Sequence, residues 1–264
     1  MHISLNGKRA IVSGSTAGIG LAIAIGLAEA GAEVVLNGRT QARVEDALNA
    51  VRERLPQARI IGVAADLSTQ EGAQQLFDQV PHTDILVNNL GIFEPKPFFE
   101  IEDADWQRFF DVNVLSAVRL SRHYAQGMAE RRWGRVIFLS SESALQIPIE
   151  MVHYGMSKTA LLAVSRGLAE TLAGTGVTVN SVLPGPTRSE GVDDFMAKLA
   201  LEQGIGREEL EANFLAEHRP TSLLKRLETV EEVANMVVYL ASLQASGTTG
   251  AALRVDGGVL RSIA

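Results

Sequence analysis

Short apolar runs alternate with longer amphipathic segments along the whole chain, and this alternation constrains the fold more than any other feature. The short runs are rich in β-branched residues and apolar throughout, which is typical of strands covered on both faces. They lie at 9–13, 33–37, 59–63, 84–88, 135–139, 177–182 and 252–255. Helical spacing of apolar residues predicts helices near 19–30, 41–54, 70–79, 103–131, 152–173 and 229–242. The pattern predicts an α/β fold, with helices on both faces of a doubly wound, mainly parallel sheet of about seven strands.

Length and composition exclude several classes of protein. With 264 residues and no repeat or linker, the chain suits one domain spanning 1–264. The net charge of −7 argues against nucleic-acid binding, which needs a basic surface. Cysteine is absent and the five histidines lack metal-ligand spacing, so no metal site is expected. The amino terminus lacks a signal-peptide core and no apolar run approaches a membrane span, so we expect a cytoplasmic protein with no membrane partner.

The turn after the first predicted strand carries three glycines. It reads Gly14-Ser15-Thr16-Ala17-Gly18-Ile19-Gly20 and leads into a helix rich in alanine and leucine. Glycines permit a tight turn and a close approach of the backbone to phosphate, and the free N–H groups of a helix start attract anions. This strand–turn–helix context predicts a dinucleotide-binding site.

The end of the second predicted strand indicates which dinucleotide binds. NAD sites place an acid here for the ribose 2′-hydroxyl, whereas NADP sites use a nearby arginine for the 2′-phosphate. Asn37 is neutral and Arg39 is cationic, so NADP(H) is favoured over NAD(H), unless Arg39 only begins the next helix with its charge in solvent. After the third strand, Asp66 is placed to accept a hydrogen bond from the adenine amine, although Asp66 or Ser68 would equally cap the next helix.

The candidate chemistry lies in the segment 140–158. Ser141 follows the strand that ends at Leu139, at the sheet edge where open α/β sheets bind ligands. Tyr154 and Lys158 are four residues apart at the start of a predicted helix, so they share a face. Because a nearby ammonium favours an ionised phenol, we predict that the pKa of Tyr154 falls toward working pH and that Tyr154 donates a proton to a carbonyl oxygen. Taken alone, the two residues are better explained as an ordinary surface pair; the rest of the chain reverses that preference.

Polar residues also follow other predicted strands. Asn88 and Asn89, ahead of Gly91, are expected to tie adjacent strand ends together. The segment 184–187 is a rigid turn in which Thr187 is free to meet a phosphate or carboxamide. Asn113 is a poor helix former inside a long helical stretch, where such a residue often marks a local bend or a water site.

Together these motifs resemble the short-chain dehydrogenase/reductase family, in its compact single-domain branch with a Rossmann-like fold, over nearly the whole chain. The resemblance implies hydride transfer between a nicotinamide and a carbonyl or secondary alcohol. It implies that Tyr154 is the general acid/base, that Lys158 lowers its pKa and holds the ribose, and that Ser141 bonds the substrate oxygen. Ser141 is chosen over Ser140 because it lies thirteen residues before the tyrosine. Asn113 completes the implied tetrad by anchoring a water. The implied cofactor site comprises Gly14, Ser15, Thr16, Gly18, Ile19, Gly20, Arg39, Asp66, Leu67, Asn89, Gly91, Tyr154, Lys158, Pro184, Gly185 and Thr187.

Two departures from the family pattern bear on this site. Leu90 stands where the family has alanine, and is expected to crowd the nicotinamide pocket. Ala17 stands where many NADP-dependent members carry a basic residue, so the NADP preference depends on Arg39 alone.

The segment 189–222 is expected to cover the substrate, since the family has a mobile segment here. From Ser189 to His218 eight acids outnumber two bases, which is −6 of the whole charge of −7. An acidic rim disfavours anionic substrates, although a solvated helical face explains these charges as well. We therefore expect a neutral, fairly apolar ketone, aldehyde or secondary alcohol. The alternative is a 3-oxoacyl-[acyl-carrier-protein] reductase, with Arg131, Arg132 and Arg135 as a docking patch for the acidic carrier.

Other proteins are the remaining expected partners. In the family the helices equivalent to 103–131 and 152–173 pack between subunits, and small residues (Ala160, Ala163, Gly167 and Thr171) form a stripe on the second. We expect a homodimer or homotetramer.

A non-catalytic NADP-binding sensor or regulatory protein is the alternative function of another class, but a pure binder has no need of the whole tetrad. An isomerase or dehydratase using the same site is a third possibility.

Overall fold

In a computed structural model, residues 2–192, 196, 201 and 204–263 are described. Their strands are β1 (Arg9–Val12), β2 (Glu33–Gly38), β3 (Ile60–Ala64), β4 (Ile85–Asn88), β5 (Gly134–Leu139), β6 (Val177–Pro184), β7 (Thr187–Arg188), β8 (Glu228–Thr229) and β9 (Ala252–Val255). Their α-helices are α1 (Gly18–Glu29), α2 (Gln41–Arg54), α3 (Gln70–Gln79), α4 (Asp103–Phe109), α5 (Ser116–Glu130), α6 (Val152–Thr171), α7 (Arg207–His218) and α8 (Val230–Ala241). Short 3-10 helices lie at Phe98–Glu100 and Glu142–Ala144.

Seven strands form one parallel sheet in the order β3-β2-β1-β4-β5-β6-β9. The order reverses between β1 and β4, and at such a point the loops leaving the two strands diverge and open a crevice. The α/β fold class and the seven sheet strands predicted from the sequence are confirmed. The pair β7–β8 lies outside this sheet and was not predicted, because two residues are too few to show a hydrophobic period.

Neighbouring residues of each strand pack into separate cores on the two sides of the sheet. Val12 and Val34 lie in the core formed with α1, α2 and α8, whereas Ile11 and Val35 lie in the core formed with α3, α5 and α6. Side chains alternate across a strand, so a strand buried on both faces is apolar at every position. This explains why the strands appear in the sequence as unbroken apolar runs.

The helix predicted over 103–131 is divided in two. A π-helical stretch, Phe110–Leu115, separates α4 from α5 and contains Asn113. The Asn113 side chain accepts from the Ile92 N–H at 2.8 Å and donates to the Ile92 carbonyl oxygen at 3.0 Å, so it binds the loop after β4. A π-helical turn holds one extra residue, which turns Asn113 toward this loop. The irregularity of the helix at Asn113, for which the sequence offered a bend or a water site, is a π-helical stretch.

The segment predicted to cover the substrate includes α7. Leu210 and Leu215 of this helix are buried, as is Met196. Phe195 and Leu199, two further apolar residues of this segment, lie outside the described residues. Within the described part of the chain, no helix is both long and apolar enough to cross a membrane, and no three potential metal ligands cluster.

Candidate active site

One cavity of about 380 Å³ lies beyond the carboxyl ends of β1, β4, β5 and β6. Because these four strands are neighbours in the sheet, the loops that follow them meet there. Nine residues predicted for the site line the cavity: Ile19, Asn89, Gly91, Ser141, Tyr154, Lys158, Pro184, Gly185 and Thr187. Gly18 and Gly20 line an adjoining pocket that shares Ile19, Asn89 and Gly91 with it.

The glycine turn has the geometry of an anion-binding cradle. Gly14 and Gly18 have φ values of +60° and +55°, a backbone conformation that favours glycine. A Cβ atom at Gly20 would lie 2.5 Å from the Gly14 carbonyl oxygen, so only glycine fits there. Ala17 has no polar side chain to cap α1, which leaves the first N–H groups of the helix available. These residues fit the pyrophosphate of a dinucleotide.

Ser15 and Thr16 join the glycine turn to β1 and β2. The Ser15 hydroxyl donates to the Val12 carbonyl oxygen at 2.7 Å and accepts from the Asn37 N–H at 2.9 Å. Thr16 packs on the end of β2, where a Cβ atom at Gly38 would lie 2.4 Å from the Thr16 methyl carbon. Both side chains shape the backbone that faces the adjoining pocket.

Asn89 joins the loop after β4 to the glycine turn. Its amide nitrogen donates to the Ser13 and Gly14 carbonyl oxygens at 3.0 and 2.9 Å. The predicted tie between adjacent strand ends is confirmed for Asn89. Asn88 instead donates to the Ser121 hydroxyl of α5 at 3.0 Å.

The end of β2 carries cations, and sequence reasoning identified only one of them. Arg39 is exposed next to the glycine turn. Arg43, in the first turn of α2, lines the adjoining pocket, with its Nη1 atom 3.6 Å from Glu190 Oε1. The available signal was a second arginine close to Arg39 at the start of the predicted helix.

The residues after β3 have separate roles. Asp66 Oδ1 accepts from the N–H and the hydroxyl of Ser68, at 3.0 and 2.6 Å. Leu67 is buried in the core. Neither Asp66 nor Ser68 caps α3, because Thr69 is its N-cap and accepts from the Gly72 N–H at 3.0 Å.

Tyr154, Lys158 and Ser141 come together on one wall of the cavity. The Lys158 Nζ atom lies 5.6 Å from the Tyr154 ring centre and donates to the Leu139 carbonyl oxygen at 3.0 Å. The hydroxyl of Ser140 donates to the Lys158 carbonyl oxygen at 2.8 Å, so this serine is bound to the backbone of α6. The hydroxyl of Ser141 remains near the phenol.

Burial shifts the acidity of both titratable groups. It raises the pKa of Tyr154, against a hydrogen-bonding contribution from Ser141 that lowers it. It lowers the pKa of Lys158 to about 8. The predicted fall in the pKa of Tyr154 is therefore wrong for this structure, because loss of hydration outweighs the favourable charges around the phenol.

Asn113 lies behind this wall. Its amide nitrogen donates to the Ser157 hydroxyl at 2.9 Å, and that hydroxyl donates to the Tyr154 carbonyl oxygen at 2.7 Å. Together with its bonds to Ile92, this contact joins the loop after β4 to α6.

An ion-pair cluster at the cavity was not predicted. Arg219 Nε donates to Glu142 Oε1 at 2.6 Å, and Arg219 Nη1 donates to Glu150 Oε1 at 3.3 Å. All three residues line the cavity. The sequence carried little signal for this cluster beyond the position of Glu142 next to Ser141.

Three further side chains lie away from the reacting groups. Leu90 packs against the core and is not among the residues that line the described cavity. Arg135 is buried at the amino end of β5, opposite the active-site edge, which removes it from a docking patch. His153 packs on Phe109 with a ring-centre distance of 4.0 Å, and neither ring nitrogen has a partner among the described residues.

Comparisons with known proteins identify the family. A family model described as "Enoyl-(Acyl carrier protein) reductase" matches residues 14–260. The chain belongs to the short-chain dehydrogenase/reductase family, and it is an oxidoreductase.

Three similar proteins span its whole length or nearly so. "Uncharacterized oxidoreductase YvaG" of Bacillus subtilis (strain 168) is 48% identical over 100% of both chains. The 3-oxoacyl-[acyl-carrier-protein] reductase FabG of Aquifex aeolicus (strain VF5) is 33% identical over 98% of this chain and 100% of its own. The crystal structure of L-sorbose reductase from Gluconobacter frateurii, complexed with NADPH and L-sorbose, superposes with a TM-score of 0.93 at 33% identity over 100% of both chains.

Proposed function

We propose that the protein is an NADP-dependent oxidoreductase that transfers hydride between the nicotinamide and a carbonyl or secondary alcohol, with Tyr154 as the general acid/base. The observation that carries the proposal is the meeting of Tyr154, Lys158 and Ser141 on one cavity that adjoins the glycine turn. A single side chain of this set is unremarkable. Their convergence at the strand-order reversal supports a reaction site.

NADPH, when bound, supplies a hydride from C4 of its nicotinamide ring. The N–H groups at the start of α1 would hold its phosphates, and Lys158 would hold the ribose. The Tyr154 hydroxyl donates a proton to the substrate oxygen, and the raised pKa of this phenol keeps the proton in place at neutral pH. Ser141 lies beside the phenol at the cavity, and Asn113 fixes the backbone behind Tyr154.

The preference for NADP rests on the cations near the end of β2. Arg39 is exposed beside the glycine turn, and Arg43 lines the pocket next to it. Arginine binds phosphate through a planar, permanently charged group, so these residues suit a 2′-phosphate. The NADPH in the L-sorbose reductase structure supports the same choice.

For the substrate we propose a neutral ketone. The cavity lining includes Phe93, Met196 and Phe214, which suit an uncharged molecule, and the guanidinium of Arg219 is already paired with two carboxylates. L-Sorbose, the ligand of the similar reductase, is a neutral ketone with hydroxyl groups. Reduction of 3-oxoacyl thioesters is the second candidate, because the Aquifex enzyme with that activity is 33% identical.

The experiment that tests this function follows NADPH oxidation against apolar ketones, hydroxylated ketones, aldehydes and 3-oxoacyl thioesters, with NADH as the second cofactor. Tyr154→Phe is expected to lower kcat by about 10²- to 10⁴-fold, the usual contribution of a positioned acid. Tyr239→Phe, the same change on α8, is the matched control and is expected to keep full activity. Tight NADPH binding without turnover on the whole panel would contradict the proposal and favour a sensor. Turnover of a substrate without stoichiometric NADPH oxidation would favour an isomerase or dehydratase.

A further inference from the structure

A buried ion pair lies directly behind Ser141, and the roles proposed above do not use it. The side chains of Glu142 and Arg219 are 4% and 7% exposed. Glu142 belongs to the 3-10 helix after β5, whereas Arg219 follows α7, 77 positions further along the chain. The pair therefore joins the reacting edge of the sheet to the end of the helix expected to cover the substrate.

The Glu142 carboxylate is fully occupied by donors from the protein. Its Oε2 atom accepts from the Ser141 hydroxyl at 2.5 Å, from the Ser143 N–H at 2.7 Å and from the Ser143 hydroxyl at 3.0 Å. Its Oε1 atom accepts from Arg219 Nε at 2.6 Å. An ionised carboxylate has roughly four acceptor positions, so little capacity is left for a substrate. Glu142 is built to hold Ser141.

This arrangement fixes the direction of the Ser141 hydroxyl. A carboxylate paired with a guanidinium only accepts, so Ser141 must donate its proton to Glu142. The Ser141 oxygen also accepts from the Ser143 N–H at 3.1 Å. The Ser141 hydroxyl also interacts with the phenol of Tyr154.

We propose that Glu142 and Arg219 are positioning residues of the reaction: Arg219 holds the Glu142 carboxylate, and the carboxylate holds the Ser141 hydroxyl at Tyr154. The inference rests on the proposed function, since it concerns the same reaction. Arg219 is itself held at the end of α7 by Glu150 and by the His218 carbonyl oxygen, to which its Nη1 atom donates at 3.3 and 2.7 Å. The position of the end of α7 thereby determines the orientation of the reacting hydroxyls.

The test compares wild type with Glu142→Gln, Arg219→Met and the double variant, using the best ketone from the panel. A misplaced reacting group costs about 10- to 100-fold in rate, so kcat is expected to fall by that factor. The KM for the ketone is expected to stay within about threefold, because no substrate contact is removed. Arg188→Met is the matched control: it removes another ion pair to α7, with Glu211 at 2.6 Å, that does not reach Ser141. It is expected to keep kcat within about twofold.

The pH dependence of kcat distinguishes a positioning role of Glu142 and Arg219 from a general loss of structure. The charges facing Tyr154 are Lys158 on its own helix, Glu142 after β5 and Arg219 after α7; Glu142 raises the pKa of the phenol and Arg219 lowers it. The high-pH limb of kcat reports loss of a proton from Lys158 or from the phenol. Removal of the negative charge of Glu142 lowers the pKa of both groups, and removal of the positive charge of Arg219 raises it, so the limb is expected to move to lower pH in Glu142→Gln and to higher pH in Arg219→Met. The double variant removes both buried charges and is expected to combine a low kcat with a limb near that of wild type.

Each outcome decides the question. Unchanged kcat in folded variants, a raised KM with normal kcat, or limbs that move in the same direction would overturn the positioning role. Circular dichroism and thermal unfolding identify variants that do not fold, and in that case the double variant carries the test. If wild type itself turns over nothing, the proposed function fails and the positioning role fails with it. If wild type is active and the variants match it, only the positioning role fails.

Discussion

Replacing Gly20 with alanine tests whether the glycine turn and the loop after β4 are built as one unit. A Cβ atom at Gly20 would lie 2.5 Å from the Gly14 carbonyl oxygen and 2.5 Å from Asn89 Nδ2, far inside normal contact distance. The φ angle of Gly20 is not in the left-handed region, so crowding alone excludes a side chain. Room for the methyl group requires Asn89 or the turn to move.

The expected loss in the free energy of unfolding follows from the hydrogen bonds that this movement breaks and from the overpacking that it causes. The Asn89 amide would lose or weaken its bonds to the Ser13 and Gly14 carbonyl oxygens, at about 0.5–1.5 kcal/mol each. Overpacking of a fitted site adds about 1–3 kcal/mol. The higher helix propensity of alanine offsets at most about 1 kcal/mol. We expect the free energy of unfolding to fall by about 1–5 kcal/mol.

Urea unfolding and a fluorescence titration with NADPH measure the two consequences. The dissociation constant for NADPH is expected to rise about tenfold or more, because the displaced turn carries the N–H groups that face the phosphates. Gly247→Ala is the matched control, since a Cβ atom there meets nothing within 4 Å; its stability should stay within about 0.5 kcal/mol of wild type. Wild-type stability together with wild-type affinity in Gly20→Ala would refute the reasoning.

Three further outcomes follow from charge and burial. Burial lowers the pKa of Lys158 to about 8, from the ordinary value of 10.5. Below pH 8 the side chain is charged in both states, so folding carries the full free-energy cost of burying this charge. Between pH 8 and 10.5 only the unfolded chain keeps the proton, and this cost shrinks. Lys158→Met should therefore be inactive yet about 1–3 kcal/mol more stable than wild type by urea unfolding at pH 7, with the gain shrinking as the pH rises through this window. Arg39→Ala should raise the KM for NADPH about tenfold and leave that for NADH unchanged, and equal effects on both cofactors in steady-state kinetics would count against a 2′-phosphate contact. Light scattering should give wild type a mass of two or four chains, and Gly167→Ala, on the exposed stripe of α6, should shift the mass toward that of one chain; an unchanged assembly would argue against helix packing there.

Features that depend on neighbouring residues were predictable from the sequence. The seven sheet strands follow from apolar runs, because burial on both faces leaves no polar position within a strand. The glycine turn follows from its own spacing and its place between a strand and a helix. Tyr154 and Lys158 share a helix face because they are four residues apart.

Features that depend on distant residues were not predictable in the same way. The ion pair of Glu142 with Arg219 joins positions 77 apart, and no local pattern reports such a contact. The pKa of Tyr154 was wrongly predicted for a related reason: spacing indicates that Lys158 is near, but it does not indicate how far the phenol is removed from water. In the structure Lys158 Nζ donates to the Leu139 carbonyl oxygen, and the loss of hydration decides the direction for the phenol.

Asn37 shows why cofactor preference cannot be inferred from charge alone. In the sequence it counts only as a missing acid at the end of β2. In the structure it is buried: its oxygen accepts from the Gly14 N–H at 3.1 Å, and its nitrogen donates to the carbonyl oxygens of Val63 and Ala65 at 3.2 and 3.0 Å. A carboxylate at this position would keep the first bond, but it would leave both carbonyl oxygens without their donor. The amide that joins β2, β3 and the glycine turn thus also keeps this position neutral, so the construction of the turn and the proposed preference for NADP depend on the same side chain.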